Sequence, residues 1–303
     1  MTDALVERVL RSVPGWARAD FDVVSLEGGI TNRNFVVTVD RQRYVLRVPG
    51  ADTELLGIDR ANEYRAASVA ADAGIGPEVV AFLPENGCFV TRFVEGSYVA
   101  MEDLRRDDVL GMVVRSLRRF HACPPVPSSF PVFRIVEQYR EIAELRGVQT
   151  PPAYDDAHDV ADRIEAACAV NPSPLTTCHN DLLNANLLRE GDHVWIVDYE
   201  YAGMGDPFFD LGNLAVNNAL DDDAQGLLLR HVYGEVRDRH RARLALMRIM
   251  SDFREAMWGV VQQAISKLDE DFVAYADRHF ARLLANADAL PMQDMLVSAQ
   301  EPA

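Results

Sequence analysis

Cys178-His179-Asn180-Asp181-Leu182-Leu183-Asn184-Ala185-Asn186-Leu187-Leu188, continued by Trp195-Ile196-Val197-Asp198-Tyr199-Glu200, reads as strand, tight polar loop, short strand, turn and strand. That order brings two carboxylates and one amide to the end of a small sheet. Asp181 is placed to accept a hydroxyl proton. Asn186 and Asp198 offer hard oxygen ligands suited to magnesium, and the set fits phosphoryl transfer from a nucleotide such as ATP. His179 stands two residues before a better-located carboxylate. It is read as hydrogen-bonding the loop into shape rather than as base or metal ligand.

Upstream of this stretch the pattern is β-rich. Phe21 to Leu26, Phe35 to Val39 and Tyr44 to Val48 alternate with period two, with Gly28-Gly29-Ile30-Thr31-Asn32 and Asp40-Arg41-Gln42-Arg43 as turns. Gly57 to Ala73 is alanine-rich and helical, stopped by Gly74 and Gly76-Pro77. Val79 to Leu83 and Cys88 to Val94 add two strands. After Glu95-Gly96 the spacing turns helical, starting with Leu104, Leu110, Val113, Val114, Leu117 and Phe120. Phe133 to Arg146, Asp156 to Val170 and the chain beyond Pro207 are also expected to be helical, with Leu246, Met250, Phe253, Met257, Val260, Ala264 and Leu268 forming one apolar stripe. The expected architecture is α+β in two lobes, an antiparallel-sheet lobe over residues 1–95 and a larger helical lobe over residues 96–303.

Composition narrows the partners. The chain has 303 residues, enough for two substantial cores, and a formal net charge of -17. Nucleic acid and anionic membrane are disfavoured because their phosphates would be repelled, while a small cationic substrate is compatible. No apolar run reaches membrane-spanning length, and no signal-peptide core opens the chain. Cys88, Cys123, Cys168 and Cys178 lack zinc-ligand spacing and read as thiols of a reducing, cytoplasmic protein. The late amphipathic helices could pack internally or across a homodimer.

Several other residues could carry chemistry. In the turn Gly28-Gly29-Ile30-Thr31-Asn32, glycine backbone can approach phosphates, and Thr31 or Asn32 can add donors to them; taken alone, a ligand-free hairpin turn is the commoner reading of such a glycine pair. Arg47 ends an apolar strand as a fixed cation that could reach ATP phosphates, and Glu63 on the next helix could orient it. Phe93-Val94-Glu95-Gly96 forms a hinge whose main chain could pair with a purine edge. Asp206 is an N-cap with Pro207 after it, and Asp210 could turn inward to brace the polar loop. Glu255 and Trp258, spaced i and i+3, share a helix face that with Tyr275 could receive an ammonium group.

Taken together these segments resemble the choline/ethanolamine kinase family, within the broader aminoglycoside-phosphotransferase-like, protein-kinase-like fold. The resemblance rests on Gly28 to Phe35, Tyr44 to Gly50, Ile58 to Glu63, Cys178 to Leu188, Val197 to Gly203, Phe209 to Asn213, Trp258 to Gln262 and Tyr275-Ala276. It implies ATP and Mg2+ as cofactors, Asp181 as catalytic base, Asn186 and Asp198 as metal ligands, and Arg47 paired with Glu63 at the phosphates. It also implies an acceptor hydroxyl on an amino alcohol near Trp258 and Tyr275. Glu255 replaces a tryptophan of eukaryotic choline kinases, and Asn217-Asn218 replaces a Glu-Trp pair. The aromatic cage is thereby thinner and more polar, so aminoglycoside and sugar-alcohol acceptors stand beside choline and ethanolamine. A nucleotide-binding pseudokinase is disfavoured because all three active-loop residues are present.

Overall fold

The computed structural model describes residues 4–26 and 31–302. The chain begins with α1 (Ala4–Ser12), followed by β1 (Asp22–Leu26), β2 (Asn32–Val39) and β3 (Gln42–Pro49). α2 (Arg60–Asp72), β4 (Val79–Leu83) and β5 (Cys88–Arg92) come next. Among the described residues these five strands form one antiparallel sheet in the order β1-β2-β3-β5-β4. Asp40 and Arg41 both take positive φ (48° and 65°), the geometry that lets a two-residue turn match strand twist, and Val39 pairs directly with Gln42.

Period two then decides what each strand residue meets. Tyr44, Leu46 and Val48 point with Val37, Val39, Cys88 and Val90 into a core closed by Val6, Val9 and Leu10 of α1. Their neighbours Val45 and Arg47 face the other way. α2 starts at Arg60 rather than at Gly57, as expected from the sequence. Gly57 is left-handed (φ 77°), and Asp59 caps the helix by accepting the N–H groups of Ala61 (2.9 Å) and Asn62 (3.2 Å). Ala66, Ala67, Val69 and Ala70 of α2 belong to the large core of the helical lobe, not to the sheet's own core.

β6 (Ser97–Tyr98) crosses to the second lobe, where α3 (Asp107–His121), α4 (Val132–Leu145) and α5 (Ala153–Val170) follow. β7 (Thr176–Cys178), β8 (Leu187–Glu190), β9 (His193–Ile196) and β10 (Gly203–Gly205) carry the polar stretch. β8 lies between β6 and β9, and β10 pairs with β7, so both small sheets grip the loops holding Asp181 and Asp198. The chain closes with α6 (Pro207–Asn217), α7 (Asp222–Tyr233), α8 (Asp238–Ile265), α9 (Phe272–Ala289) and α10 (Met292–Ala299). The expected apolar stripe holds through Val260. Leu268, its last member, lies beyond the helix and is exposed, because Ser266 leaves α8 in extended conformation. Among the described residues no helix is long and apolar enough to cross a membrane.

Candidate active site

α6 shapes the polar loop. Asp210, fully buried, accepts the main-chain N–H groups of His179 (2.9 Å) and Asn180 (2.6 Å) and the His121 ring (2.8 Å). Burial acts against its charge, but the hydrogen bond and charge of His121, with His179, hold it below the usual carboxylate range. One turn on, Asn213 accepts the N–H of Leu182, and Asn218 donates to the Leu182 carbonyl (2.8 Å). Asn180 is thereby held at φ 67°, a conformation that costs energy outside glycine and persists where surroundings impose it. The buried His179 ring joins two loops: Nε2–H donates to the Val197 carbonyl (3.0 Å) and Nδ1 accepts from Asp181 N–H (3.3 Å). That division requires a neutral ring, and burial pushes its pKa down.

Asp181 emerges from this loop with 13% of its side chain exposed. Burial pushes its carboxyl well above the usual range; Arg254 opposes that, and Glu255, Asp198 and Glu200 add to it. Asn186 donates through Nδ2 to the Asp181 carbonyl (2.8 Å) and carboxylate (3.2 Å), which turns its own oxygen outward. With the Asp198 carboxylate this makes an all-oxygen donor set of the kind a magnesium ion takes. Asp198 sits at φ 69° and pairs with Arg47.

Arg47 also pairs with Glu63, which is fully buried on α2. Burial opposes the guanidinium charge, but Asp198, Glu63 and Glu200 raise its pKa above the ordinary arginine value. Arg60 extends the network from Glu63 (2.7 Å) to Glu200 (3.2 Å). Glu200 in turn accepts from Thr31 Oγ1 (2.7 Å) and Asn32 Nδ2 (2.9 Å). Thr31 and Asn32, expected to face phosphates, are thus engaged by a carboxylate two residues past Asp198. Gly28 and Gly29 lie outside the described residues. Glu95 is exposed and paired with Arg43, so at the hinge its side chain points away from the network; Gly96 packs so closely on β8 that an added Cβ would meet the Arg189 carbonyl at 2.9 Å.

Glu255, Trp258 and Tyr275 do come together. Tyr275 Oη donates to Glu255 (2.8 Å), the Trp258 and Tyr275 rings lie 5.5 Å apart, and Trp258 Nε1 donates to Tyr201 Oη (2.9 Å). Among them stands Arg254, which the sequence reading passed over. It is 1% exposed, donates to Glu255 (2.7 Å), approaches Asp181 (3.7 Å) and lies over the Tyr201 ring (4.1 Å). Its signal was a charged pair, Arg254-Glu255, set between Phe253 and Ala256-Met257 in an apolar helix. Asp252, another acid in that helix, is paired with Arg282 and His279 and takes no part.

Residues 22–246 match the phosphotransferase enzyme family. A solved structure of a choline/ethanolamine kinase family protein from Mesorhizobium loti is 33% identical, with a TM-score of 0.85 over 98% of each chain. The chain belongs to the phosphotransferase enzyme family, in its choline/ethanolamine kinase branch. This phosphotransferase is also 26% identical to protein LicA of Haemophilus influenzae, over 87% of this chain and 79% of that one. Ethanolamine kinase 2 of Mus musculus is 26% identical over 89% and 77% of the two chains.

Proposed function

We propose that this phosphotransferase moves the γ-phosphoryl group of ATP to the hydroxyl of a small alcohol, with amino alcohols such as choline and ethanolamine the class suggested by its relatives' names. The observation that carries this reading is the convergence of Asp181 and Asn186, on a loop clamped by α6, with Asp198, tied to the sheet lobe through Arg47 and Glu63. The acceptor oxygen forms a bond to the γ-phosphorus, the bond to the bridging oxygen of ADP breaks, and the hydroxyl proton passes to Asp181. Asn186 and Asp198 would hold magnesium, which when bound would supply positive charge beside the transferred phosphoryl group. Arg47, held by Glu63, orients the phosphates, and the main chain at Glu95 receives the purine. The remaining catalysis is positioning: the clamped loop presents Asp181 in one orientation, which lowers the cost of aligning hydroxyl and phosphorus.

Asp181→Ala should lower kcat by about 10²–10⁴-fold in a coupled ADP-release assay with the best acceptor. Near-wild-type turnover would remove Asp181 as the base. Calorimetry on Asp198→Ala addresses the metal separately, and unchanged Mg-ATP affinity would count against that role.

A further inference from the structure

β3 is joined to α2 through a one-turn segment, Thr53–Leu56, set between two left-handed residues, Asp52 (φ 59°) and Gly57 (φ 77°). Both ends of the segment are fastened. Thr53 Oγ1 accepts from Arg60 Nη2 (3.0 Å), and the Leu56 carbonyl accepts from Tyr139 Oη of α4 (2.8 Å). Beside this bridge lies a cavity of about 270 Å³, walled in part by Glu54, Phe130, Ile135, Tyr139, Glu200 and Tyr201. Glu200 and Tyr201 place it against the active-site loops, because they come two and three residues after Asp198. Tyr201 also stands under Arg254 (4.1 Å), which lies 3.7 Å from Asp181.

Three features bear on what the cavity takes. First, aromatic rings make three of its walls, and among the described residues no lysine, arginine or histidine lines it. Second, Glu54 is exposed at its rim and enters no ion pair among the described residues. Third, the carboxylate on α8 that the sequence suggested for an ammonium is already engaged. Arg254 takes one oxygen of Glu255 and Tyr275 the other, and Trp258 is only 6% exposed. An ammonium group is held by aromatic rings and by an uncommitted negative charge. The cavity offers both, and the α8–α9 cluster has used its own carboxylate internally.

We infer that this cavity is the head-group pocket of the acceptor site: the ammonium of an amino alcohol rests among Phe130, Tyr139 and Tyr201, with Glu54 at the rim as its counter-charge. The inference rests on the phosphoryl-transfer reading, in which the short arm of the same molecule carries its hydroxyl toward Asp181. Glu54 is thereby a specificity residue. It draws a cation toward an acidic protein at one defined place, and the bridge fastened by Arg60 and Tyr139 fixes where that charge stands.

The test compares choline with its neutral analogue, in which carbon replaces the nitrogen, by ADP release from the full chain. Glu54→Gln should lower the choline-to-analogue ratio of kcat/KM by about twofold to fivefold, the range for an exposed counter-charge. Glu54→Lys should lower it by about tenfold, through the KM of choline and with the KM of ATP unchanged. Ile135→Trp, which fills the cavity, should raise the KM of both alcohols by about tenfold or more. An unchanged ratio in Glu54→Lys, or an unchanged acceptor KM in Ile135→Trp, overturns the inference. So does a Glu255→Gln variant that collapses the ratio while Glu54→Lys does not, since the ammonium then sits between α8 and α9. If Ile135→Trp does not fold, the Glu54 variants decide, because that side chain is exposed. If no alcohol releases ADP, calorimetry with tetramethylammonium separates the two readings. Binding to wild type that weakens about tenfold in Glu54→Lys keeps the pocket while the phosphoryl-transfer reading fails. Binding that is absent from wild type, or unchanged in Glu54→Lys, overturns the pocket.

Discussion

Asp210 touches neither candidate metal ligand, yet two N–H groups of the polar loop and the His121 ring converge on its carboxylate. Asp210→Ala would strand those donors in the interior. The expected loss is about 3–5 kcal/mol in urea unfolding, as for a buried pair deprived of one partner. His179 adds a pH dependence. Burial holds its folded pKa below the ordinary 6.5, so as pH falls through 6.5 the unfolded chain takes up a proton first. Stability should therefore fall from pH 6.5 downward, until the folded ring also protonates and frees Nδ1 from its acceptor role. His193 and His240, also lowered by burial, contribute in the same direction. Urea midpoints measured across this range should drop less for His179→Gln than for wild type; parallel curves would show that His179 carries none of the effect.

α6 can hold the loop because it sits very close to α8. A Cβ at Gly212 would lie 2.5 Å from the Met247 carbonyl carbon and 2.7 Å from the Arg248 nitrogen. Those are backbone atoms, so relief requires one helix to move. Gly212→Ala should cost about 1–3 kcal/mol as overpacking. It should also lower kcat, since Asp210 and Asn213 move with the helix; an unchanged Tm and kcat would show that the helices can separate freely. Much at this level was readable from the chain. Period two located the strands around Arg47, and Asp206-Pro207 marked the start of α6. The asparagines that complete the clamp were not readable. Asn213 and Asn218 hold main-chain atoms of Leu182 more than thirty residues earlier, and no local spacing rule encodes such a contact.

Between the lobes, α2 is the shared part. Asn62 donates to the Ala202 carbonyl (2.7 Å) and accepts from Ser128 N–H (3.0 Å), while Glu63 and Arg60 reach Arg47 and Glu200. Glu200 closes the circuit by receiving Thr31 and Asn32 from the start of β2. Glu200→Ala should leave Arg60 half-paired and release that turn, costing about 3–5 kcal/mol. It should also raise KM for ATP and speed amide exchange at Thr31 and Asn32; unaltered exchange there would show that the turn is held by other contacts. The chain alone was sufficient for the two-lobed class, the order of strands and helices, and the loop bearing Asp181, Asn186 and Asp198, because these depend on periodicity, caps and short spacings along the backbone. Tertiary structure was needed to show that Glu200 joins Thr31 and Asn32 to the loop bearing Asp198, that Glu255 is already satisfied, and that Arg254 stands beside the candidate base. Those facts depend on which buried charges meet after packing, and desolvation forces such pairings among residues as far as 151 positions apart, where sequence order carries no record of them.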